Sequence, residues 1–417
     1  MRRIIVIGAG PGAEEFLTLE AVNALKNADV VVAAARHVKL AEKFKKSSAN
    51  IIELKNFKDA FNEIKNLEEN KLIIILVSGD TGIYSLLPLI KKNFADYNIS
   101  VIPGISSLQS LCAAAGEMWH DAVILSGHGR PLSPQKFLNT VERNKRVLLF
   151  CGEDHSPNWA VDLIKNSAGD LASRTEIMIG ERLSYQDECI TRIKPDIYNE
   201  DKIFDILSLV LIKNNSPWEA PAGRLKDIDF ERGDKVPMTR EEVRTIILDK
   251  LNLNNNAVFI DIGAGTGSIS CAAALEFPEC EVHAIEFDES ALQVINKNLI
   301  KFRAHNIKVH AGKALSVLNK ILPGLNNNLN IFIGGSGGEL GEIIKLLESL
   351  EQPVRLVISS VTLDTLSEAV NILLNNNNNK WKNFEAVQAA ISATRPLGKS
   401  LLMSARNPVF ILSVDRA

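Results

Sequence analysis

From its first residues the chain alternates short, continuous apolar runs with amphipathic stretches. Runs at residues 4–7, 30–33, 72–77 and 100–102 predict strands buried on both faces, and helical spacing separates them at residues 17–25 and 57–67. That alternation predicts a parallel sheet. Past residue 118, further runs at 122–125, 147–150, 176–179 and 206–212 predict a second α/β lobe. After Lys213 the sequence becomes NNSPWEAPAGRLKDIDFERGDKVP, with three prolines, two glycines and no apolar period, which reads as a linker ending near Pro237. Beyond it, strands at 257–262, 281–286, 307–311, 329–333 and 354–359 alternate with helices at 268–276, from 289, and at 340–349. This is a doubly wound α/β pattern. Asparagine runs at 254–256, 326–328 and 375–379 fall between elements and read as inert loop tips.

At 417 residues the chain exceeds the roughly 250–300 at which a single core stops growing. The expected division is residues 1–213, with lobes at about 1–116 and 117–213, a linker at 214–235, and a second domain at 236–417. A hydrophobic share of 46% with 23% charged residues lies near the globular average and excludes disordered, collagen-like and disulfide-scaffold classes. Net charge is -3, from 47 basic against 50 acidic residues, so the basic excess of a dedicated nucleic-acid binder is missing. No apolar run approaches the ~20 residues that cross a bilayer. MRRIIVIGAGPG superficially resembles a signal peptide, but its apolar run breaks at Gly8 without a cleavage site and reads as a first strand. Five cysteines show no zinc spacing. They read as core residues in a reducing cytoplasm, and no metal is expected.

Two glycine loops carry candidate chemistry. DIGAGTG, residues 261–267, leaves a strand and opens a helix, and Glu286 ends the next strand. Ser268 stands where a dinucleotide fingerprint requires a third Gly or Ala. A strand-end acid can accept from both ribose hydroxyls, so the pattern favours S-adenosylmethionine, with a dinucleotide or a purely structural turn as alternatives. The N-terminal loop, Gly8-Ala9-Gly10-Pro11-Gly12-Ala13, fits G-x-G-x-x-A, yet Pro11 offers no N–H to a phosphate and the following strand, VVVAAARHV, ends without an acid. A tight strand-to-helix turn explains it equally well.

Longer motifs carry a resemblance. IGAGPGAEEFLTLEAVNALKNADVVV, VSGDTGIYS, VIPGISSLQS and ILSGHGRP resemble the tetrapyrrole methylase family, in its cobalamin-pathway branch. VPMTREEVR, DIGAGTGS, IFIGGSGGEL, and RPLGKS through NPVFIL resemble the decarboxylating precorrin methyltransferases. The chain thus resembles the precorrin-6Y methyltransferases, in which the two are fused. The resemblance implies a two-lobed tetrapyrrole methylase fold followed by a Rossmann-like S-adenosylmethionine-dependent methyltransferase domain. It implies one S-adenosylmethionine site in each half. In the first, Gly79, Asp80, Ile83, Ser106 and Ser107 line the donor, while the loop holding Gly10 and Pro11 faces the substrate. In the second, Thr239, Gly263, Ala264, Gly265, Thr266, Gly267 and Glu286 line it. Lys313 departs from the acidic residue usual in the family, which leaves the adenine-edge contact to the backbone of Ala314.

The implied substrate is a precorrin, methylated at C-5 by the first half and at C-15 by the second with loss of the C-12 acetate carboxyl. Such a polycarboxylate calls for fixed cations. Candidates are His128 and Arg130 in SGHGRP, Arg240, and Arg395 and Lys399 in RPLGKS; the backbone of Gly335, Ser336 and Gly337 is a further carboxylate nest. Asp80 is explained somewhat better as a turn residue that satisfies its own backbone than as a donor-site acceptor. A homo-oligomer is expected, with no nucleic-acid or membrane partner. The rivals are an RNA methylase in the C-terminal half, opposed by GGSGG in place of a base-clamping motif, and a non-catalytic nucleotide binder.

Overall fold

A computed structural model describes residues 2–416 except 130–131, 200, 222–223, 235 and 375–379. Arg130 and the last asparagine run therefore lie outside the described residues. The chain divides into two compact units, one of Met1–Leu132, Asn144–Asn166 and Asp170–Pro217, the other of Ser133–Arg143, Ser167–Gly169 and Trp218–Ala417.

The first unit opens with β1 (Arg3–Gly8), β2 (Val30–Ala33), β3 (Asn50–Glu53), β4 (Leu72–Val77) and β5 (Asn98–Ile102), a parallel sheet in the order β3-β2-β4-β1-β5. Its inner strands β2 and β4 are apolar at every position because both of their faces are covered. Ile73, Ile75 and Val77 of β4 enter one core, whereas Ile74 and Leu76 enter the core opposite. The first helix spans Leu19–Asn27 rather than 17–25, since the Thr18 hydroxyl accepts from the Ala21 N–H and fixes the start. The second lobe, expected only to be α/β, has a mostly antiparallel sheet. Its sheet, β6 (Ala122–Ser126), β7 (Arg146–Phe150), β8 (Thr175–Glu181), β9 (Cys189–Ile193) and β10 (Ser208–Asn214), runs β6-β7-β10-β8-β9, and β6–β7 is its only parallel pair among the described residues.

The second unit carries β11 (Val258–Ile262), β12 (Glu281–Glu286), β13 (Ile307–Ala311), β14 (Leu329–Ile333) and β15 (Val354–Ser360) in the parallel order β13-β12-β11-β14-β15. Four strands absent from the sequence reading follow: β16 (Trp381–Ala389), β17 (Ser392–Leu397), β18 (Ser400–Ala405) and β19 (Val409–Arg416). β19 runs antiparallel between β15 and β16, which leaves β16 as the outer strand, while β17 and β18 form an exposed hairpin. The stretch expected to be a linker is only partly one. Leu225 and Phe230 are buried in the core of this unit, where Phe230 meets Phe302 at 4.9 Å between ring centroids. Two apolar residues five positions apart leave no periodic signal, so the linker reading missed them. Arg244 secures the segment: it lies 4.8 Å above the Phe230 ring and donates to the Leu225 carbonyl at 2.6 Å. No helix among the described residues is long and apolar enough to cross a membrane.

Candidate active site

In the second unit the glycine loop turns at the carboxyl end of β11, the edge at which open α/β sheets bind ligands. Gly263, Gly265 and Gly267 all have positive φ, at 74°, 56° and 74°. A side chain at Gly263 would also collide with its neighbour, because a Cβ there meets the Gly335 oxygen at 2.5 Å and nitrogen at 2.7 Å. The two glycine-rich loops therefore touch backbone to backbone. Glu286, at the end of β12, is nearly buried and organises the turn as an acceptor: Oε2 takes the Gly265 N–H at 2.8 Å, and Oε1 takes those of Phe287 and Asp288 at 2.8 and 2.9 Å.

Between these loops lies a pocket of about 110 Å³ lined by Gly263, Glu286, Phe287, Lys313, Ala314 and Ser336, with Glu339 at its edge. Phe287 is 64% exposed beside it, an unusual setting for a phenyl ring. Glu339 Oε2 accepts the Leu315 N–H at 3.1 Å, so the GGSGG segment is tied to the first turn of helix Ala314–Ile321. Beneath the loop, Asp261 is buried and its Oδ2 accepts from the Ser270 hydroxyl at 2.5 Å and the Ser270 N–H at 3.2 Å. Burial raises its pKa to about 6 against these two bonds, and the negative charge of Glu286 adds to the rise. Asp261 Oδ1 and Thr266 Oγ1 are buried without a protein partner.

In the first unit, the loops after β1 and β4 meet in an isolated antiparallel bridge: the Gly79 N–H donates to the Gly10 carbonyl at 2.8 Å and the Gly10 N–H to that of Gly79 at 3.2 Å. Gly104 packs as closely on both loops, since a Cβ there would meet the Gly79 oxygen at 2.4 Å and the Gly8 carbonyl carbon at 2.6 Å. Asp80 accepts the Gly82 N–H at 2.7 Å and the Gly104 N–H at 3.1 Å, holding these loops together. Ser106 caps helix Ser107–Ala115 in a capping box with Gln109. The predicted residues Gly10, Gly79, Asp80, Ser106 and Ser107 thus come together at one sheet end, and Ile83 reaches the core of the second lobe.

Residues 3–195 match the tetrapyrrole (corrin/porphyrin) methylases and residues 230–416 the precorrin methyltransferase domain. The cobalt-precorrin-6B C(15)-methyltransferase (decarboxylating) of Salmonella typhi is 35% identical over 194 residues, 46% of this chain and 96% of that protein. The probable enzyme of the same name from Pyrobaculum calidifontis is 37% identical over 199 residues, 47% of this chain and 97% of its own. The chain belongs to the precorrin methyltransferase family. Among solved structures, the precorrin-6y C5,15-methyltransferase of Geobacter metallireducens is similar at 33% identity, covering 46% of this chain and 96% of that one, with a TM-score of 0.41.

Within this precorrin methyltransferase the expected cations are less concentrated than the motifs suggested. Arg240 is paired with Asp227 at 3.2 Å. Arg395 and Lys399 stand on the exposed β17–β18 hairpin, Lys399 in its turn beside Gly398, and neither lines the pocket. The hairpin nevertheless leaves the main sheet at the carboxyl end of β15, where Ser360 pairs with Phe410. Thr239 gives its carbonyl to Arg244 at 2.8 Å, and the neighbouring Pro237 carbonyl lies over the glycine loop, accepting the Thr266 N–H at 3.4 Å. His128 is exposed beyond β6, with its N–H donated to Ser126 Oγ at 3.3 Å. Sequence reasoning missed Phe287 and Glu339. The first directly follows the strand-end acid and the second closes the GGSGGEL motif, so adjacency to those motifs was the available signal.

Proposed function

We propose that the second unit methylates C-15 of a precorrin or cobalt-precorrin with release of the C-12 acetate carboxyl as carbon dioxide, that the first methylates C-5, and that each has its own S-adenosylmethionine site, in cobalamin biosynthesis. The observation that carries the reading is the carboxyl-end pocket between Gly263, Glu286 and Ser336 in the half of the chain that matches the precorrin methyltransferase domain. The pocket suits a nucleoside donor: its floor has no room for a Cβ at Gly263, Phe287 offers an open aromatic face, and two buried polar atoms lie beneath the loop without protein partners. Gly263, Ala264, Gly265, Thr266, Gly267, Glu286 and Ala314 would hold the donor there, as would Gly79, Asp80, Ile83, Ser106 and Ser107 in the first unit.

The donor supplies a methyl group already activated as an electrophile. The chain's task is then to hold that carbon in line with the ring carbon, and such positioning is worth up to ~7–11 kcal/mol of barrier. When the acetate C–C bond breaks, the electron pair passes into the conjugated macrocycle, carbon dioxide leaves, and a proton completes the new methyl group. Ser336 and Gly337, which line the pocket, would offer backbone N–H groups to a substrate carboxylate, whereas the Gly335 N–H is already donated to the Ile262 carbonyl at 3.3 Å. The test supplies the purified chain with precorrin carrying a labelled acetate carboxyl and with methyl-labelled donor. Methyl incorporation with gas release is expected; NADH binding without methyl transfer would refute the reading.

A further inference from the structure

We infer that Arg36 grips a carboxylate of the tetrapyrrole in the first unit, braced for that role by Ser78 and His37; this inference rests on the functional reading above. The carboxyl ends of β1, β2 and β4 lie side by side, so the loops that follow them meet at one crevice. Arg36 and His37 begin helix Ala35–Phe44 directly after β2. Arg36 donates from Nη2 to Ser78 Oγ at 2.5 Å, and His37 Nε2 lies 2.8 Å from the same oxygen. Ser78 adjoins Gly79, which is bridged to Gly10 in the loop expected to face the substrate.

Two further observations separate this cation from an ordinary solvated one. Arg36 is exposed and pairs with no acid among the described residues, whereas Lys43 on the same helix is paired with Glu14. His37 is 1% exposed and its Nδ1 has no hydrogen-bond partner. A buried polar side chain left incomplete at a sheet end marks a place where a ligand finishes the network. Burial, with the neighbouring Arg36 charge, lowers the His37 pKa to about 4, so the imidazole is neutral at neutral pH and acts as a brace. Ser78 accepts from the guanidinium and offers its own hydrogen to Nε2. With one Nη engaged by Ser78, the rest of the guanidinium fork remains available for two parallel bonds to a carboxylate.

The donor also carries a carboxylate, so the experiment must separate the two sources. Full-length Arg36→Gln and Arg36→Lys are compared with the parent chain for precorrin KM and kcat in labelled methyl transfer to C-5, and for S-adenosylmethionine affinity by calorimetry. The expected result is a KM for the macrocycle raised about tenfold or more in Arg36→Gln, with kcat and donor affinity unchanged, and partial recovery in Arg36→Lys, which keeps the charge and loses the fork. Ser78→Ala should give a smaller rise in the same KM. An unchanged KM in Arg36→Gln, while the parent chain turns over, overturns this inference alone. A fall in donor affinity instead would overturn it by assigning Arg36 to the donor carboxylate. A parent chain that methylates no tetrapyrrole overturns the functional reading together with this inference.

Discussion

Asp261→Asn tests how the glycine loop of the second unit is built. The carboxyl is fully buried, its Oδ1 is unpartnered, and its pKa is raised from 3.8 to about 6, chiefly by loss of solvation. Between those values the folded chain holds a proton that the unfolded chain has released, so stability falls as pH rises through the window and the penalty is complete above about pH 6. Two pKa units correspond to about 3 kcal/mol. Asparagine keeps an oxygen for Ser270 and removes the charge; its amide hydrogens add a desolvation cost that does not vary with pH. The stability of Asp261→Asn relative to the parent chain should therefore rise by about 2–3 kcal/mol between about pH 4 and pH 7, whatever the offset at either end. Urea unfolding of both chains across that range, followed by the fluorescence of Trp381 and the other tryptophans, measures it. A difference in stability that stays constant with pH would refute the burial account.

Gly263→Ala places a Cβ 2.5 Å from the Gly335 oxygen at a φ of 74°; left-handed strain of about 1–2 kcal/mol and overpacking of about 1–3 kcal/mol should abolish carbon dioxide release and spare C-5 methylation, as gas counting against methyl incorporation will show. Glu286→Gln keeps only one good acceptor for three backbone N–H groups, so calorimetry should find donor affinity at the second unit lower by about tenfold to a hundredfold, with the first unit unaffected. Phe230→Ala should destabilise the second unit by about 3–5 kcal/mol in chemical unfolding, whereas a free linker would leave it unchanged.

The sequence alone determined what depends on local period and local chemistry. The run LIIILV of β4, apolar at every position, announced a strand covered on both faces. DIGAGTG announced a tight turn between a strand and a helix, because glycine is favoured wherever φ is positive and another backbone comes close. Each of those features is written within one short run of residues. The antiparallel partners were not legible in this way: β17, SATRPL, is polar, exposed and interrupted by proline, and it is a strand only because β18 lies beside it. Leu225 and Phe230 looked like linker residues until the second unit's core closed over them. The decisive contacts at the sites join distant positions, Gly263 to Gly335, Glu339 to Leu315 and Arg36 to Ser78, each set by sheet order rather than by spacing along the chain. Only the tertiary structure decides which loops share a sheet end, because parallel strands place the ends of well-separated segments side by side.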